Sequence, residues 1–345
     1  MTRGNSVGAA GSQGALVGGR YRLDQPIGRG RGGIVWLAYD TRLHRTVAAK
    51  RMYLPPGQDE AQAERSRAVA LQQGHDAMRV DHPCAITVHD VVRDGPDVWL
   101  TMEYVPSRNM VEFLAEHGTL TPEQAAFLGI QLGKALTAAH QAGVPHRNLQ
   151  PGNVLLADDG GVKLTDIGIS GWSDPAYRAP EVARGELPTS ASDAYSLGAT
   201  LFAAVEGVPP CGADGLQPQV PPKHTGALTG ALLKLLRTEP GLRPTMADTI
   251  ASLSAITEGN QQAFIPPTAP AMPRPHFPPP GQPGHPGYQG QPPQVHQPTA
   301  VGGQAPVPPR KQLDPQLVRR WILIALAVIV AVSVGIGVVE VFFLM

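Results

Sequence analysis

The sequence predicts an α+β protein of two lobes, with a strand-rich smaller half followed by a helix-rich larger half. Short β-type runs separated by turn residues dominate from Tyr21 to about Asp97, and one helical stretch interrupts them. From Met110 to Leu253 the hydrophobic periodicity becomes mainly helical. Strands gathered in one half and helices in the other are typical of this fold class.

Four strands and one helix are predicted in the smaller half. Apolar and β-branched runs mark the strands at Ile34–Ala38, Thr46–Met52, Ala85–Val92 and Val98–Tyr104. Between the second and third runs the periodicity predicts a helix over Glu60–Val80. We therefore expect a sheet accompanied by a single helix in this half.

Three helices stand out in the larger half. Ala125–Ala142 is amphipathic, Ala191–Glu206 is strongly apolar, and Leu228–Leu236 is a shorter apolar run.

Composition excludes several classes of protein. The chain has 345 residues, enough for one two-lobed domain plus extra segments. Its formal net charge is zero, which gives no electrostatic reason to expect nucleic acid as a partner. Two cysteines, Cys84 and Cys211, cannot support a disulfide framework, so a reducing compartment fits best.

Both ends of the chain differ in composition from the middle. Residues 1–19 are rich in Gly, Ser and Ala, so we expect disorder there and no apolar core of a signal peptide. Residues 258–320 are dominated by Pro, Gln and Gly over most of their length and predict a disordered linker. A single folded domain over residues 20–257 is expected between these segments.

Residues 321–345 are predicted to form one transmembrane helix. The run is apolar except for Ser333 and Glu340, and about 20 apolar residues suffice to cross a hydrocarbon core about 30 Å thick. Basic residues cluster just before the run, which places the folded domain in the cytoplasm. These residues are Arg310, Lys311, Arg319 and Arg320. The sequence therefore predicts a single-pass protein of the cell membrane with a cytoplasmic domain.

Small residues in this span leave two interpretations open. Ala327, Ala331 and Gly335 recur at four-residue spacing, which lets two membrane helices approach closely and form a homodimer. Chance scatter of small residues in a Val/Ile/Ala-rich span explains the same pattern equally well.

A glycine-rich turn and a following lysine predict a site for nucleotide phosphates. Gly28, Gly30, Gly33 and Val35 fit the pattern G-x-G-x-x-G-x-V, and glycines let the backbone approach phosphates where a Cβ would clash. Lys50 ends the next strand run, at a distance that suits a cation for the α- and β-phosphates.

Further motifs follow in a single order along the chain. They are Asp81-His82-Pro83, Met102-Glu103-Tyr104-Val105, His146 to Asn153, Asp166-Ile167-Gly168, Ala179-Pro180-Glu181, Asp193 and Arg243. With the glycine turn and Lys50, they resemble the eukaryotic-type Ser/Thr protein kinases, especially the membrane-anchored bacterial ones. The resemblance implies a bilobal kinase fold with a small lobe over residues 20–105 and a large lobe over 106–257.

Two catalytic-loop positions depart from the family pattern. The acid that accepts the substrate hydroxyl proton in the family is Asn148 here, and an amide is no proton acceptor near neutral pH. The lysine that neutralises the transferring phosphate in the family is Gln150 here. Both changes predict impaired phosphoryl transfer.

Two further departures lie in the small-lobe helix and in the activation segment. An ungapped count back from Asp81 places Gln73 where the family has the glutamate that pairs with the lysine. Gln73 shares an inward helical face with Val69, Ala77 and Val80 in this prediction. The stretch between Gly168 and Ala179 is about half the usual length, and its hydroxyls are those of Ser170, Ser173 and Tyr177.

The nucleotide side of the site is retained. In the family, the positions of Gly28, Gly30, Gly33, Lys50, Asn153 and Asp166 hold phosphates, and those of Asn153 and Asp166 hold Mg²⁺. By the same resemblance Val35, Ala48 and Leu155 enclose adenine, with Glu103 and Val105 at the hinge. ATP and Mg²⁺ are therefore the expected ligands, unless these residues persist only to shape the fold.

Three functions follow as hypotheses. The first is a pseudokinase that binds ATP weakly or conditionally and acts as a regulatory scaffold in signalling. The second is an active but unconventional Ser/Thr kinase that works without a base. In the third, the function lies in the Pro-rich tail. Residues 306–310 would dock into a groove of a partner that binds polyproline helices, or Thr268 and Thr299 would be phosphorylated and bound by a partner. The expected partners are an active kinase or a phosphothreonine-binding protein.

Overall fold

In a computed structural model of the chain, the described residues are 11–30, 33–171, 173–211 and 220–258. The predicted linker at 258–320, apart from Glu258, and the predicted span at 321–345 lie outside these residues. Among the described ranges, no helix combines the length and the apolar character needed to cross a membrane.

A six-stranded antiparallel sheet forms the small lobe. Its order is β1-β2-β3-β4-β6-β5, and every pair of neighbours is antiparallel. The strands are β1 Leu16–Val17, β2 Tyr21–Gly30, β3 Gly33–Asp40, β4 Arg45–Arg51, β5 Val88–Asp94 and β6 Asp97–Glu103. Because β2 and β3 pair as far as Gly30 opposite Gly33, the glycine-rich stretch lies at the end of a β-hairpin.

Strand β1 lies inside the stretch 1–19 for which the sequence predicts disorder. Val17 is buried in a cluster with Tyr21 and Trp36, and Leu23 donates its amide to the Ala15 carbonyl at 2.9 Å. A short hydrophobic pair in a glycine-rich context gives too weak a pattern for sequence reasoning to detect. The ordered domain therefore begins before residue 20.

The single small-lobe helix is α1, Glu60–Ala77, and it packs against β5 and β6. Asp59 begins the helix with a capping box, in which its side chain accepts the Gln62 amide. The approach to the sheet is close, since a Cβ on Gly74 would lie 2.5 Å from a Val91 methyl. The helix ends at Ala77 rather than at the predicted Val80.

The predicted inward face of α1 is wrong at one position. Gln73 and Ala77 are buried, as is Val80 just beyond the helix, but Val69 is 56% exposed. At about 100° per residue, the buried residues of the helix span an arc that starts at Gln73 and runs away from Val69. The four-residue spacing therefore identified Gln73, at one edge of the buried face of α1, but not the centre of that face.

One predicted strand starts too early. Ala85–Val92 was expected to be extended throughout, whereas β5 begins at Val88. Before it, Ala85 donates to the His82 carbonyl at 2.9 Å in a turn and then forms one isolated parallel bridge to Leu164. The backbone of Cys84 and Ile86 is bonded to Leu164 at 2.7 and 2.8 Å rather than to β6, which explains the later start.

The buried carboxylate of Asp40, at the end of β3, binds Arg20, the residue before β2. Arg20 donates to both oxygens of Asp40 at 2.8 and 2.7 Å, and the Asp40 side chain is fully buried. Asp40 also accepts the backbone amides of Arg42 and Leu43, which fixes the turn between β3 and β4. The Arg20 hydrogen bonds lower the pKa of Asp40 to about 2.

This depressed pKa predicts an acid-labile small lobe. Asp40 is ionised more readily in the folded chain than in the unfolded one. Its contribution to the free energy of unfolding is therefore complete above about pH 4 and disappears as the pH falls towards about 2. We expect urea unfolding to show about 2 kcal/mol lost over this window on its account. Asp40→Asn should flatten that part of the profile, while Asp24→Asn, at the more exposed pair with Arg22, should not. An unchanged profile in Asp40→Asn would contradict the assignment.

Helices dominate the large lobe, as predicted. They are α2 Met110–His117, α3 Pro122–Gln141, α4 Pro180–Ala183, α5 Ser190–Glu206, α6 Thr229–Leu235 and α7 Met246–Thr257. A three-stranded sheet, β7 Ser107–Asn109, β8 Val154–Ala157 and β9 Val162–Leu164, lies among them. The three predicted helices are confirmed as α3, α5 and α6, each to within about three residues at either end.

Helix α5 occupies the centre of this lobe. It packs against α3 and α6, and most of its residues from Ser192 to Val205 are buried. The close contact with α6 requires glycine at position 198, because a Cβ there would lie 2.7 Å from the Leu235 Cβ. A helix buried on all sides can anchor the loops that reach it, and Asp193 of α5 does so for the loop at His146 and Arg147.

Candidate nucleotide-binding site

A cavity of about 740 Å³ opens between the two lobes. Its walls combine the glycine hairpin and β4 of the small lobe with the 146–153 loop, β8 and the segment after Leu164 of the large lobe. The volume lies within the range of ligand pockets that enclose a small molecule. Most of the predicted site residues line this cavity, whereas Gln73 is not among the residues that line it.

The glycine hairpin covers one end of this cavity. Gly28 and Gly33 line it, and Gly33 has a φ of +109°, a conformation that favours glycine. Gly30 pairs with Gly33 at the hairpin tip. The side chain of Arg29 and all of Arg31 lie outside the described part of the structure.

Apolar groups from both lobes enclose the middle of the cavity. Val35 and Ala48 come from adjacent small-lobe strands, and Leu155 comes from β8 of the large lobe. All three pack with the same hydrophobic cluster, together with Met102 and Val105. Such opposed apolar surfaces suit a flat aromatic ring, and they match the predicted adenine position.

Lys50 and Asp166 meet directly in the cavity. Lys50 Nζ lies 2.5 Å from Asp166 Oδ2, and both side chains are largely buried. Asp166 adopts a φ of +63°, which is uncommon for a residue other than glycine. The predicted phosphate-binding lysine and the predicted metal-binding aspartate are therefore adjacent, and each partly neutralises the other.

Asn153 is oriented in a way that suits a cation ligand. It lies in a short 3₁₀ turn, Pro151–Asn153, and its Nδ2 donates to the Asn148 carbonyl at 2.8 Å. This bond leaves the Asn153 Oδ1 as the atom available to a metal ion. The Asn153 carbonyl accepts the Thr165 amide at 3.0 Å, which holds the turn beside Asp166. The residues present thus fit Mg²⁺ bound with a nucleotide.

The 146–153 loop is anchored to the central helix by Asp193. One carboxylate oxygen accepts the His146 amide at 2.8 Å and the other accepts the Arg147 amide at 2.9 Å. The side chain of His140 contacts the same carboxylate at 2.7 Å. Burial lowers the pKa of His146, which is fully enclosed and thus neutral. A single buried aspartate sets the position of the loop that carries Asn148, Gln150 and Asn153.

Gln150 is tied to the activation segment. Its Oε1 accepts the Asp174 amide at 3.3 Å, and Gln150 itself is buried. The Asp174 carboxylate in turn accepts the Ala176 amide and caps the turn that contains Tyr177. Both Gln150 and Asp174 line the cavity. A neutral amide and a carboxylate thus stand where the family resemblance leads one to expect a lysine.

Gln73 is bonded to the activation segment rather than to Lys50. Its Nε2 donates to the Ser170 hydroxyl at 2.7 Å, and its Oε1 accepts the Ser170 amide at 3.0 Å. Glu64 lies about 180° round α1 from Gln73 and is bonded to Arg67 and Arg93. Lys50 therefore takes Asp166 as its partner, and a reciprocal amide contact joins α1 to the segment.

Removing this contact should loosen the two elements from each other. We expect Gln73→Ala to lower the free energy of unfolding by about 1–2 kcal/mol, because a buried side chain loses two hydrogen bonds. The adjacent Gln72, which bonds only Asp76 at an exposed position, provides the control. Gln72→Ala should stay within about 0.5 kcal/mol of the wild type in urea unfolding. Equal effects of both variants would contradict the role of Gln73.

The hinge between the lobes contains an ion pair that sequence reasoning missed. Glu103 accepts from Lys163 at 2.8 Å and from the Thr87 amide at 2.8 Å. Burial alone would raise the pKa of Glu103, but these hydrogen bonds outweigh it and keep the pKa below its usual value. Lys163 comes from β9, 60 residues away, and no local pattern signals such a pairing.

Tyr177 has a position in the site that the sequence pattern does not predict. It lines the cavity, and its carbonyl accepts the Ser196 hydroxyl of α5 at 2.9 Å. Burial and the nearby Asp174 carboxylate raise the pKa of Tyr177 to about 12. The Tyr177 hydroxyl therefore stays protonated and uncharged at this wall of the cavity.

Glu181 of the Ala179-Pro180-Glu181 motif forms a buried ion pair with Arg243. Arg243 donates to both oxygens of Glu181 at 2.7 and 2.8 Å, and both side chains are almost completely enclosed. Burial alone would raise the pKa of Glu181, but the Arg243 bonds hold it below its usual range. This pair fixes the end of the activation segment to the large lobe.

Comparisons with known proteins agree with this geometry. The model of the protein kinase domain matches residues 21–249. Serine/threonine-protein kinase PkaA of Streptomyces coelicolor is 33% identical over 279 residues, covering 70% of this chain and 51% of the relative. Serine/threonine-protein kinase PknA of Mycobacterium tuberculosis is 35% identical over 262 residues, covering 71% of this chain and 57% of the relative. The chain thus spans about half the length of these curated relatives.

A solved structure shows the same fold. The crystal structure of the Mycobacterium tuberculosis PknI kinase domain superposes with a TM-score of 0.60 at 26% sequence identity. The alignment covers 71% of this chain and 99% of that one. The two-lobed architecture, the order of the motifs and the family match over two thirds of the sequence lead to one conclusion. The chain belongs to the protein kinase domain family.

Proposed function

We propose that this chain is a pseudokinase, which holds a nucleotide in its cleft but does not transfer the terminal phosphate efficiently. The observation that carries the proposal is the catalytic loop, where Asn148 and Gln150 stand in place of the family's acid and lysine. Gln150 is engaged by the Asp174 amide at 3.3 Å. The protein would act as a regulatory scaffold whose lobes present a surface to a signalling partner.

The chemical argument is one of missing charges. A general base is typically worth 10²–10⁴ in rate, or about 3–5 kcal/mol of barrier. A fixed cation beside the transferring phosphate stabilises the negative charge of the transition state. Neither amide can supply these functions. Gln73 stands where the family has the glutamate that orients the lysine, and it is bonded to Ser170 rather than to Lys50.

Nucleotide binding is proposed because the other half of the site is intact. Lys50 is in place in the cavity, Asn153 is oriented to offer an oxygen, and apolar groups form two opposed walls. Phosphates would be held by the glycine hairpin and Lys50, and Mg²⁺ by Asn153 and Asp166. The bound magnesium would offset phosphate charge, which is the chemistry it supplies in this family.

An active Ser/Thr kinase is the competing function, since the relatives above carry that name. Phosphoryl transfer depends mostly on positioning and charge stabilisation, so loss of a base alone permits slow turnover. Here the base, the cation and the helix glutamate are all replaced, and the short segment is bonded to Gln73 and Gln150. These combined changes favour the inactive interpretation.

Membrane attachment belongs to the same proposal. The apolar run at residues 321–345 would anchor the domain to the cytoplasmic face through the Pro-rich linker. A chain truncated after residue 320 should move from the membrane fraction to the soluble fraction. If the truncated chain remained membrane-bound, the anchor would have to be sought elsewhere.

Lys50 provides the test of nucleotide binding. At Mg·ATP concentrations about 100 times the dissociation constant, the protein should gain about 2.7 kcal/mol of stability. This corresponds to a rise of roughly 5–10 °C in Tm for a domain of this size. Lys50→Met should abolish most of the shift, whereas Lys234→Met, at an exposed position of α6, should retain it. A full shift in Lys50→Met would contradict the proposed phosphate site.

A further inference from the structure

The two faces of the β8–β9 hairpin differ. Four of its residues belong to the core of the large lobe, namely Val154, Leu156, Val162 and Leu164. Leu155 and Lys163 alternate with them along the strands and are direct partners in the β8–β9 pairing. Opposed side chains of an antiparallel pair project from the same face of the sheet. Because Leu155 lines the cavity, Lys163 lies beside it on the face turned towards the cleft.

The ammonium group of Lys163 reaches the small lobe at the hinge. Its Nζ donates to Glu103 Oε1 at 2.8 Å and lies 3.5 Å from the Ala85 carbonyl oxygen. The same Glu103 oxygen accepts the Thr87 amide at 2.8 Å, and the Glu103 amide donates to the Thr87 carbonyl at 2.9 Å. One lysine of a large-lobe strand is thus bonded to the last residue of β6, which is itself fixed to the stretch before β5.

Lys163 thereby joins two walls of the cavity that come from different elements. Leu155 belongs to the apolar wall of the large lobe, and Glu103, Tyr104 and Val105 form the hinge wall. Lys163 is not among the described residues that line the cavity. A side chain outside the cavity therefore connects the apolar wall to the hinge wall, at the end where the ring of a nucleotide would lie.

We propose that Lys163 is a positioning residue for the ring end of the nucleotide, because its bond to Glu103 fixes the hinge wall relative to Leu155. The inference rests on the proposed nucleotide binding and adds a residue that controls it from outside the cavity. A wall already held in its bound geometry needs less ordering when the ligand binds, which increases affinity. The side chains are only partly exposed, at 21% for Lys163 and 26% for Glu103, so salt screens this pair less than a surface pair.

Calorimetric titration of the full chain in mild detergent with adenosine, MgADP and MgATP tests the proposal. Lys163→Met keeps most of the length of the side chain but cannot donate to Glu103. We expect it to weaken all three ligands by one common factor of about three- to tenfold, because they share the ring and the variant loses a hydrogen bond between charged groups. Lys163→Gln should give the same pattern, and Lys163→Arg, which retains a charged donor, should recover most of the affinity.

Lys134→Met provides the matched control. Lys134 is an exposed residue of α3 in the same region, since burial lowers the pKa of His82 and the charges of Lys134 and Lys163 lower it further. The variant removes a positive charge near the hinge and leaves the bond between Lys163 and Glu103 in place. All three affinities should therefore stay within about twofold of the wild type, because exposed charges are screened.

The number of phosphates separates positioning from a direct effect of charge. Lys50→Met should weaken MgADP and MgATP far more than adenosine, whereas the factor for Lys163→Met should be the same for all three. A factor in Lys163→Met that grows with the number of phosphates would overturn the positioning role. Wild-type affinity in both Lys163→Met and Lys163→Gln would overturn it too and would leave the nucleotide site standing. Failure of the wild type to bind any of the three ligands would overturn the proposed nucleotide site itself.

Discussion

Glu181→Ala is expected to destabilise the protein by about 3–5 kcal/mol. Arg243 would then be left almost fully enclosed without its bidentate partner, and an uncompensated buried charge costs far more than the pair itself contributes. The same carboxylate also accepts the Ser192 hydroxyl at 2.9 Å, so the start of α5 would lose a contact. Urea unfolding of the purified protein measures the change.

An exposed ion pair nearby provides the control for Glu181. Glu186 pairs with Arg184 at 3.2 Å, and both side chains are about 60% exposed. Glu186→Ala should alter the free energy of unfolding by no more than about 0.5 kcal/mol, because exposed pairs contribute little. If Glu181→Ala were as mild as Glu186→Ala, the activation segment would not be fixed by the Glu181–Arg243 pair.

Asp193→Ala should have the second large effect, about 3 kcal/mol of lost stability. The buried His146 amide and the partly buried Arg147 amide would both lose their acceptor, and an unsatisfied buried amide costs about 1–3 kcal/mol. Because the loop beyond them carries Asn153, nucleotide binding should weaken together with stability. A combination of urea unfolding and nucleotide titration reports both changes.

The control for Asp193 is an aspartate in the first turn of another helix. Asp248 is exposed and caps α7 with Thr245, whereas Asp193 is 1% exposed in the first turn of α5. Asp248→Ala should cost less than about 1 kcal/mol, the usual range for a carboxylate near a helix N-terminus. A normal nucleotide affinity in Asp193→Ala would show that the loop does not depend on this anchor.

Most of the architecture could be predicted from the sequence because the motifs that define it are local. The glycine pattern, Lys50, the catalytic loop and Ala179-Pro180-Glu181 can each be read within a few residues, and the helices follow strong periodicity. Strand β2 was missed because register shifts at Leu23/Gln25 and Pro26/Gly28 break its alternation. Weak or interrupted patterns account for the errors in the small lobe.

The partners of the altered site residues could not be predicted. Counting residues identified Gln73 as inward-facing, but Ser170, which it binds, is 97 residues away in the chain. The same is true of Gln150 and Asp174, which meet across 24 residues. Such contacts depend on the path of the short segment through space, for which composition and periodicity carry no signal.

Transfer of the terminal phosphate is the measurement that tests the central proposal most directly. The full chain is incubated with Mg²⁺ and γ-labelled ATP, alone and with a generic Ser/Thr protein substrate, beside its Lys50→Met variant. We expect label at the level of Lys50→Met in every sample, although ATP raises the Tm of the wild type. Efficient labelling that disappears in Lys50→Met would show an active kinase and contradict the proposed loss of phosphoryl transfer.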